Sequence, residues 1–241
     1  MLYKYFPTTT EELAKIINAE VERKGWNCSL NHIDVSQITD MSFLFSNTSY
    51  YGCKLDEFNG DISRWNVSNV ENMRSMFHGA KSFNRSICDW DVSNVTTMED
   101  MFYCADSFNQ PIGRWDVSNV TNMNGMFYKA KSFNQPIGDW NVSNVINMGY
   151  MFTHAKSFNQ PIGDWDVSNV ENMLSMFDHA ETFNQPIGDW DISNVTDMSY
   201  IFYCAEQFDQ DLSKWKLKTN CDTTSIFCNC PIKEEYKPTG I

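Results

Sequence analysis

Residues 140–164 read WNVSNVINMGYMFTHAKSFNQPIGD, and the same line returns with substitutions before and after it. Trp65, Trp90, Trp115, Trp140, Trp165, Trp190 and Trp215 stand 25 residues apart without a slip. A fixed period of this length marks stacked repeats, in which one unit cannot bury its apolar face alone and needs its neighbours. Six full copies occupy 65–214. A looser copy begins near Ile33 and carries about seven extra residues around Tyr50 to Cys53. A degenerate copy follows Trp215, where Leu217, Ile226 and Phe227 keep register. This regularity excludes a conventional two-domain globule.

With tryptophan as position 1, apolar residues fall at positions 1, 3, 6, 9, 12, 13, 16, 19 and 23. Positions 9, 12, 13 and 16 have the i, i+3, i+4, i+7 spacing of a helix with one buried face. Met173, Met176, Phe177 and Ala180 are one such set. Ser68 with Glu71 and Ser168 with Glu171 read as capping boxes at its start. Around Trp140 and Val142 the alternation with Asp139 and Asn141 suits a short strand, and Pro161 with Gly163 marks a turn. The expected unit is strand, helix, loop, and the expected class is an α/β solenoid of about eight such turns. An all-strand β-helix leaves the Met-Phe-Ala spacing unexplained. The expected divisions are a helical cap over 1–30, repeats over 31–230 and a polar, loose tail over 231–241. For the cap, Thr9 and Glu12 form a further box, Leu13, Ile16, Ile17 and Val21 an apolar stripe, and Gly25 a stop signal.

The run FNQPIGRWDVSNVTNM from Phe108, followed by Met126-Phe127 and Ala130, resembles the bacterial surface-protein repeats of Met-Phe/Trp-Asp-Val-Ser-Asn-Val type, relatives of the BspA-like leucine-rich repeats. The resemblance covers roughly residues 31 to 230. It implies a leucine-rich-repeat-like solenoid, common on cell-surface or lipid-anchored proteins, with no catalysis attached to the repeats and with binding or adhesion as the usual role.

Composition narrows the partners. Asp and Glu number 31 against 18 Lys and Arg, for a net charge of -13. A nucleic-acid or anionic-membrane surface needs clustered cations instead. No apolar run approaches the roughly 20 residues that cross a bilayer, so no membrane insertion is expected. The amino terminus does not read as a signal peptide, which points to the cytoplasm. Twelve of 13 methionines fall at positions 9 or 12, or at Met41, the position-9 counterpart in the first copy, and read as core columns. The tryptophans share an inward face with the Val or Ile two residues on. Asparagines at positions 5 (Asn69 to Asn194) and 20 (Asn84 to Asn184) read as ladders at corners. No nucleophilic triad or phosphate loop is present, so neither an enzyme nor a cofactor is expected. His154 and His179 alone make a weak metal pair. Scattered cysteines fit reduced thiols, with Cys221, Cys228 and Cys230 open to zinc or to one disulfide.

Two surfaces carry functional expectations. Positions 25 and 2 flank the tryptophan, so Asp139, Asp164 and Asp189 form a column beside Asp166 and Asp191. Like charges at strand spacing raise one another's pKa. This stripe suits docking of a basic protein segment, weak calcium binding, or a solvated edge that keeps the chain soluble. The second surface is the variable set at positions 7, 8, 10, 11, 14, 15, 17 and 18, expected on the helix side, with Tyr103, Tyr128, Tyr150, Tyr200 and Tyr203. The expected function is non-enzymatic binding of an unidentified protein through the stripe or the variable face. The alternative is an adhesive element binding glycan through exposed tyrosines. Oligomeric state is left open.

Overall fold

The computed structural model describes residues 3–48, 50–51 and 55–240. Cys53, and with it part of the expected insertion, lies outside the described residues. The chain begins with helix α1, Thr10–Lys24, whose cap was legible in the sequence. Thr9 Oγ1 accepts from the Glu12 amide at 3.2 Å, and the Glu12 carboxylate accepts from the Thr8 amide at 2.9 Å. Gly25 closes the helix at φ 86°, donating its N–H to Val21. Leu13, Ala14, Ile17 and Val21 face the core.

Buried Glu20 clamps this helix to its surroundings. Its carboxylate accepts from Tyr5 Oη and from Arg23, each at 3.0 Å, pairs with Lys24, and lies 3.1 Å from His32 Nε2. Burial pushes that carboxyl up, but Lys24, Arg23 and Tyr5 together pull it down to about 2.

The repeats differ from the expected α/β, leucine-rich-repeat-like strand–helix turns. Among the described residues the only helices are α1 and one 3-10 turn, Glu234–Tyr236, and the pairing between coils consists of isolated parallel bridges. Seven of these bridges link position 8 of successive coils from Asp40 to Asp222. Each coil is built from consecutive turns closed by three-residue hydrogen bonds, such as Met151 N–H to Met148 and Ala155 N–H to Phe152. Positions 11 and 15 lie in the left-handed region, at φ 57° for Tyr150 and 56° for His154, and recurrently elsewhere. Two such residues four apart cannot belong to a right-handed helix. They leave the N–H groups of positions 9, 11, 13 and 15 donating to the next coil: Met148 to Asn172, Tyr150 to Leu174, Phe152 to Met176 and His154 to Asp178. Two turns in succession place positions 9, 12, 13 and 16 inward, so the helical spacing has a second physical origin. The expected capping boxes also resolve differently, since Ser168 Oγ donates to Asp166 Oδ1 at 2.6 Å.

The core consists of columns. Phe127, Phe152 and Phe177 stack at 5.7 Å, and Trp140, Trp165 and Trp190 at 6.5 Å. Within a coil Phe152 lies 4.0 Å from Phe158. The position 9 and 12 methionines are fully buried and the seven position-1 tryptophans nearly so. Each indole N–H finds a carbonyl, Trp140 Nε1 donating to Ile112 at 3.1 Å. Corner asparagines bridge coils as ladders: Asn144 Nδ2 donates to Ser118 C=O at 2.7 Å, and Asn134 Oδ1 accepts from the Asn159 amide and from Gln160. At position 24, a Cβ on Gly163 would stand 2.5 Å from the Pro186 carbonyl of the next coil. The tail is packed, not loose, with Ile232 and Pro238 buried and the Leu212 amide bonded to Tyr236.

Three outcomes are expected. Trp140→Ala costs about 3–5 kcal/mol in denaturant unfolding, because it opens a cavity and orphans the Ile112 carbonyl. Lys129→Gly at position 15 (φ 56°) raises stability by about 1 kcal/mol through relief of left-handed strain. Because the Glu20 carboxyl is depressed on folding, its stabilisation is complete above its ordinary pKa of 4.5 and fades as pH falls toward 2. A calorimetric series should therefore show the melting difference between native chain and Glu20→Gln shrinking across that window.

Candidate functional site

The five aspartates of the expected stripe are all exposed, on the edge built from positions 22 to 25 and 2. Asp139 borders a shallow depression with Pro111, Gly113, Arg114 and Pro136, and Asp164 and Asp189 border another with Pro161, Gly163, Pro186 and Gly188. They are not equivalent. Asp189 pairs with Lys214 at 2.7 Å. Asp166 and Asp191 serve their own turns, Asp166 Oδ1 accepting from the Ser168 amide at 3.1 Å and Asp191 Oδ1 from the Ser193 amide at 3.0 Å. Those serine contacts hold both carboxyls below the usual carboxylate range.

Of the variable positions, 7 lies with the position-5 asparagines, as Ile146 does beside Asn144, while half of them, 10, 11, 14 and 15, lie together on the left-handed turns. The rings there form one ribbon across successive coils. His78 stacks on Tyr103 at 4.5 Å, and Tyr103 on Tyr128 at 4.3 Å, with interplanar angles of 5° and 6°. Tyr150 and His154 meet Tyr128 edge-on, His154 stacks on His179 at 4.4 Å, and His179 continues to Tyr203. Tyr150 and Tyr200 are the most open members, at 37% and 39% exposure. Burial, and then His179, hold His154 below the ordinary imidazole value, while His179 Nδ1 lies 2.5 Å from Asp178. In sequence this ribbon is masked because its rings shift from position 14 (His78, Tyr103, Tyr128) to position 15 (His154, His179) and back at Tyr203. A helical wheel would separate those neighbours, whereas the turn geometry aligns them.

A half-buried carboxylate, Asp100 at position 11, sits beside the ribbon where other copies carry Ser, Gly or Tyr. Burial and then the charge of Glu99 push its carboxyl up to about 6, against the pull of Arg74. Gly125 one coil on leaves the space it occupies, since a Cβ there would collide with Asp100 Oδ1. Sequence reasoning overlooked this residue, and its only signal was an Asp among small or aromatic equivalents.

The family model described as Mycoplasma protein of unknown function, DUF285, matches residues 48–159 and again 133–237. The chain belongs to this family. That establishes a repeat protein and leaves the family's activity open. No curated protein matches the chain.

Asp100 yields an electrostatic prediction of opposite sign to Glu20. Its folded pKa stands above its ordinary 3.8, so between there and about 6 the folded state binds the extra proton, and stability falls as pH rises. Asp100→Asn should melt higher than the native chain at pH 7.5, with the gap closing near pH 4.

Proposed function

We propose that this DUF285 chain is a non-enzymatic repeat scaffold whose turn face binds another protein. The observation that carries this reading is convergence. Variable positions 11, 14 and 15 carry aromatic and imidazole rings that meet across successive coils on one face, while the columns beneath stay constant. Tyrosine-rich, partly open surfaces are the composition favoured at protein interfaces. The resemblance to BspA-like repeats supports a binding role in the same direction.

The ring geometry also weighs protein against glycan. Sugars pack on open aromatic faces, but Tyr103 is covered on both faces by its neighbours His78 and Tyr128, so the run of rings offers edges rather than a broad open face. Edges of that kind suit hydrogen bonding and shape-matched contact with a polypeptide. The aspartate edge ranks second as a docking surface, because Asp166, Asp189 and Asp191 already have partners within the chain.

A photo-cross-linking amino acid placed at Tyr150 or Tyr200, with Pro161 on the opposite edge as comparison, tests the reading in native extract. Protein adducts should form from the tyrosine positions, and unlabelled native chain should suppress them while a chain carrying Tyr128→Ser and Tyr150→Ser should not. Adducts from Pro161 alone, or retention on a glycan array that survives both substitutions, would overturn it.

A further inference from the structure

On the turn face one carboxylate has no donor of its own. The aspartates at positions 2 and 8 accept from amides of their own turns, as Asp166 and Asp197 do. Asp100 differs. Among the described residues nothing donates to its side-chain oxygens, and its neighbour Glu99 takes up Arg74 at 3.1 Å. Together with Tyr103, Asn124, Gly125, Tyr128 and Tyr150 it lines a shallow depression of about 250 Å³. Gly125 forms part of the floor, since any side chain there would strike the Asp100 carboxylate. Tyr128 ends the parallel run of rings. Tyr103 covers one of its faces, Tyr150 and His154 meet it at steep angles of 66° and 79°, and Lys129 Nζ stands over the ring 5.1 Å from its centroid. That ring therefore already attracts a cation.

We propose that this depression receives a single arginine side chain of the protein partner, its guanidinium forked onto the Asp100 carboxylate and laid against Tyr128. The assignment rests on the turn-face reading and makes it specific. A guanidinium is planar, weakly hydrated and presents parallel N–H donors matched to both carboxylate oxygens, and it packs on aromatic rings. A lysine ammonium is a compact, strongly hydrated point charge that satisfies one oxygen at a time and sheds its water less readily. Because Asp100 is half-buried, pairing there is less screened than at the open aspartate edge. Glu99, Arg74, Tyr103, Tyr128 and Tyr150 are the charged and titratable groups facing Asp100, and Lys129 Nζ stands over the Tyr128 ring beside it. Burial keeps a fraction of Asp100 protonated near pH 6, so occupancy should rise with pH across that region.

The probe is Nα-acetyl-arginine methylamide, titrated into the ¹⁵N-labelled full chain and followed by NMR, with the citrulline and lysine analogues in parallel. Amide shifts should cluster at Asp100, Gly125 and Tyr128, and citrulline, equal in shape but uncharged, should bind about tenfold more weakly. Asp100→Asn should lower arginine affinity by about tenfold. Asn is tolerated in the left-handed region, so the variant should keep its fold, with its melting curve as the check. Asp164→Asn should change nothing. Shifts confined to Asp139, Asp164 and Asp189, equal binding of citrulline, or unchanged affinity in Asp100→Asn would overturn the assignment. If Tyr150 cross-links persist after such a result, the arginine pocket falls alone. If they vanish as well, the turn-face reading falls with it.

Discussion

Everything in this molecule depends on one coil satisfying what the preceding coil leaves open. The N–H groups of positions 9, 11, 13 and 15 have no acceptor in their own coil and are met by carbonyls of the next. An unpaired buried N–H costs about 1–3 kcal/mol, so a displaced coil would lose several such bonds together. The same register brings phenylalanine onto phenylalanine and indole N–H onto carbonyl. Backbone ladder and ring columns therefore lock each other. They also explain why the ends differ from the middle, with α1 clamped through Glu20 at one end and the tail packed against the last coil at the other.

The division of labour between faces follows from this register. Positions that point inward or bridge coils have little freedom: Phe, Trp and Met fill columns, the asparagines of repeat positions 5 and 20 bond across coils, and glycine at position 24 clears the neighbouring carbonyl. Positions 10, 11, 14 and 15 lie on turns whose backbone is already satisfied, so their side chains can change without disturbing the stack. Left-handed φ at Tyr150, His154 and Lys129 is a standing cost of about 1 kcal/mol or more at each site, offset by the forward-pointing N–H that the conformation provides. On that side His78, Tyr103, Tyr128, His154, His179 and Tyr203 join into a ribbon, and among the described residues Asp100 has no donor.

Much of the construction was legible in the sequence. The 25-residue tryptophan period, the buried methionines, the corner asparagines and the Thr9-to-Gly25 helix all followed from spacing and from donor and acceptor chemistry. The strand–helix reading of each repeat did not hold. Met148, Met151, Phe152 and Ala155 present the same i, i+3, i+4, i+7 pattern whether they sit on one helix face or inside two successive turns. Only the φ values of Tyr150 and His154 separate the cases, and neither residue type announces a left-handed conformation as glycine does at Gly125. The aspartate stripe was visible as a pattern, but its chemistry was not, because the Ser168 and Ser193 contacts depend on local turns. The ribbon and Asp100 were hidden for the same reason: adjacency across coils at positions 14, 15 and 11 needs the turn geometry first.

The most direct test is NMR detection of scalar couplings across hydrogen bonds in the labelled chain, centred on the Phe152 amide. A turn-built stack predicts coupling from Phe152 N to the carbonyl carbon of Met176, one coil ahead, where the donor–acceptor distance is 2.9 Å. Coupling to the Met148 carbonyl, four residues back as in an α-helix, would contradict the account at its foundation.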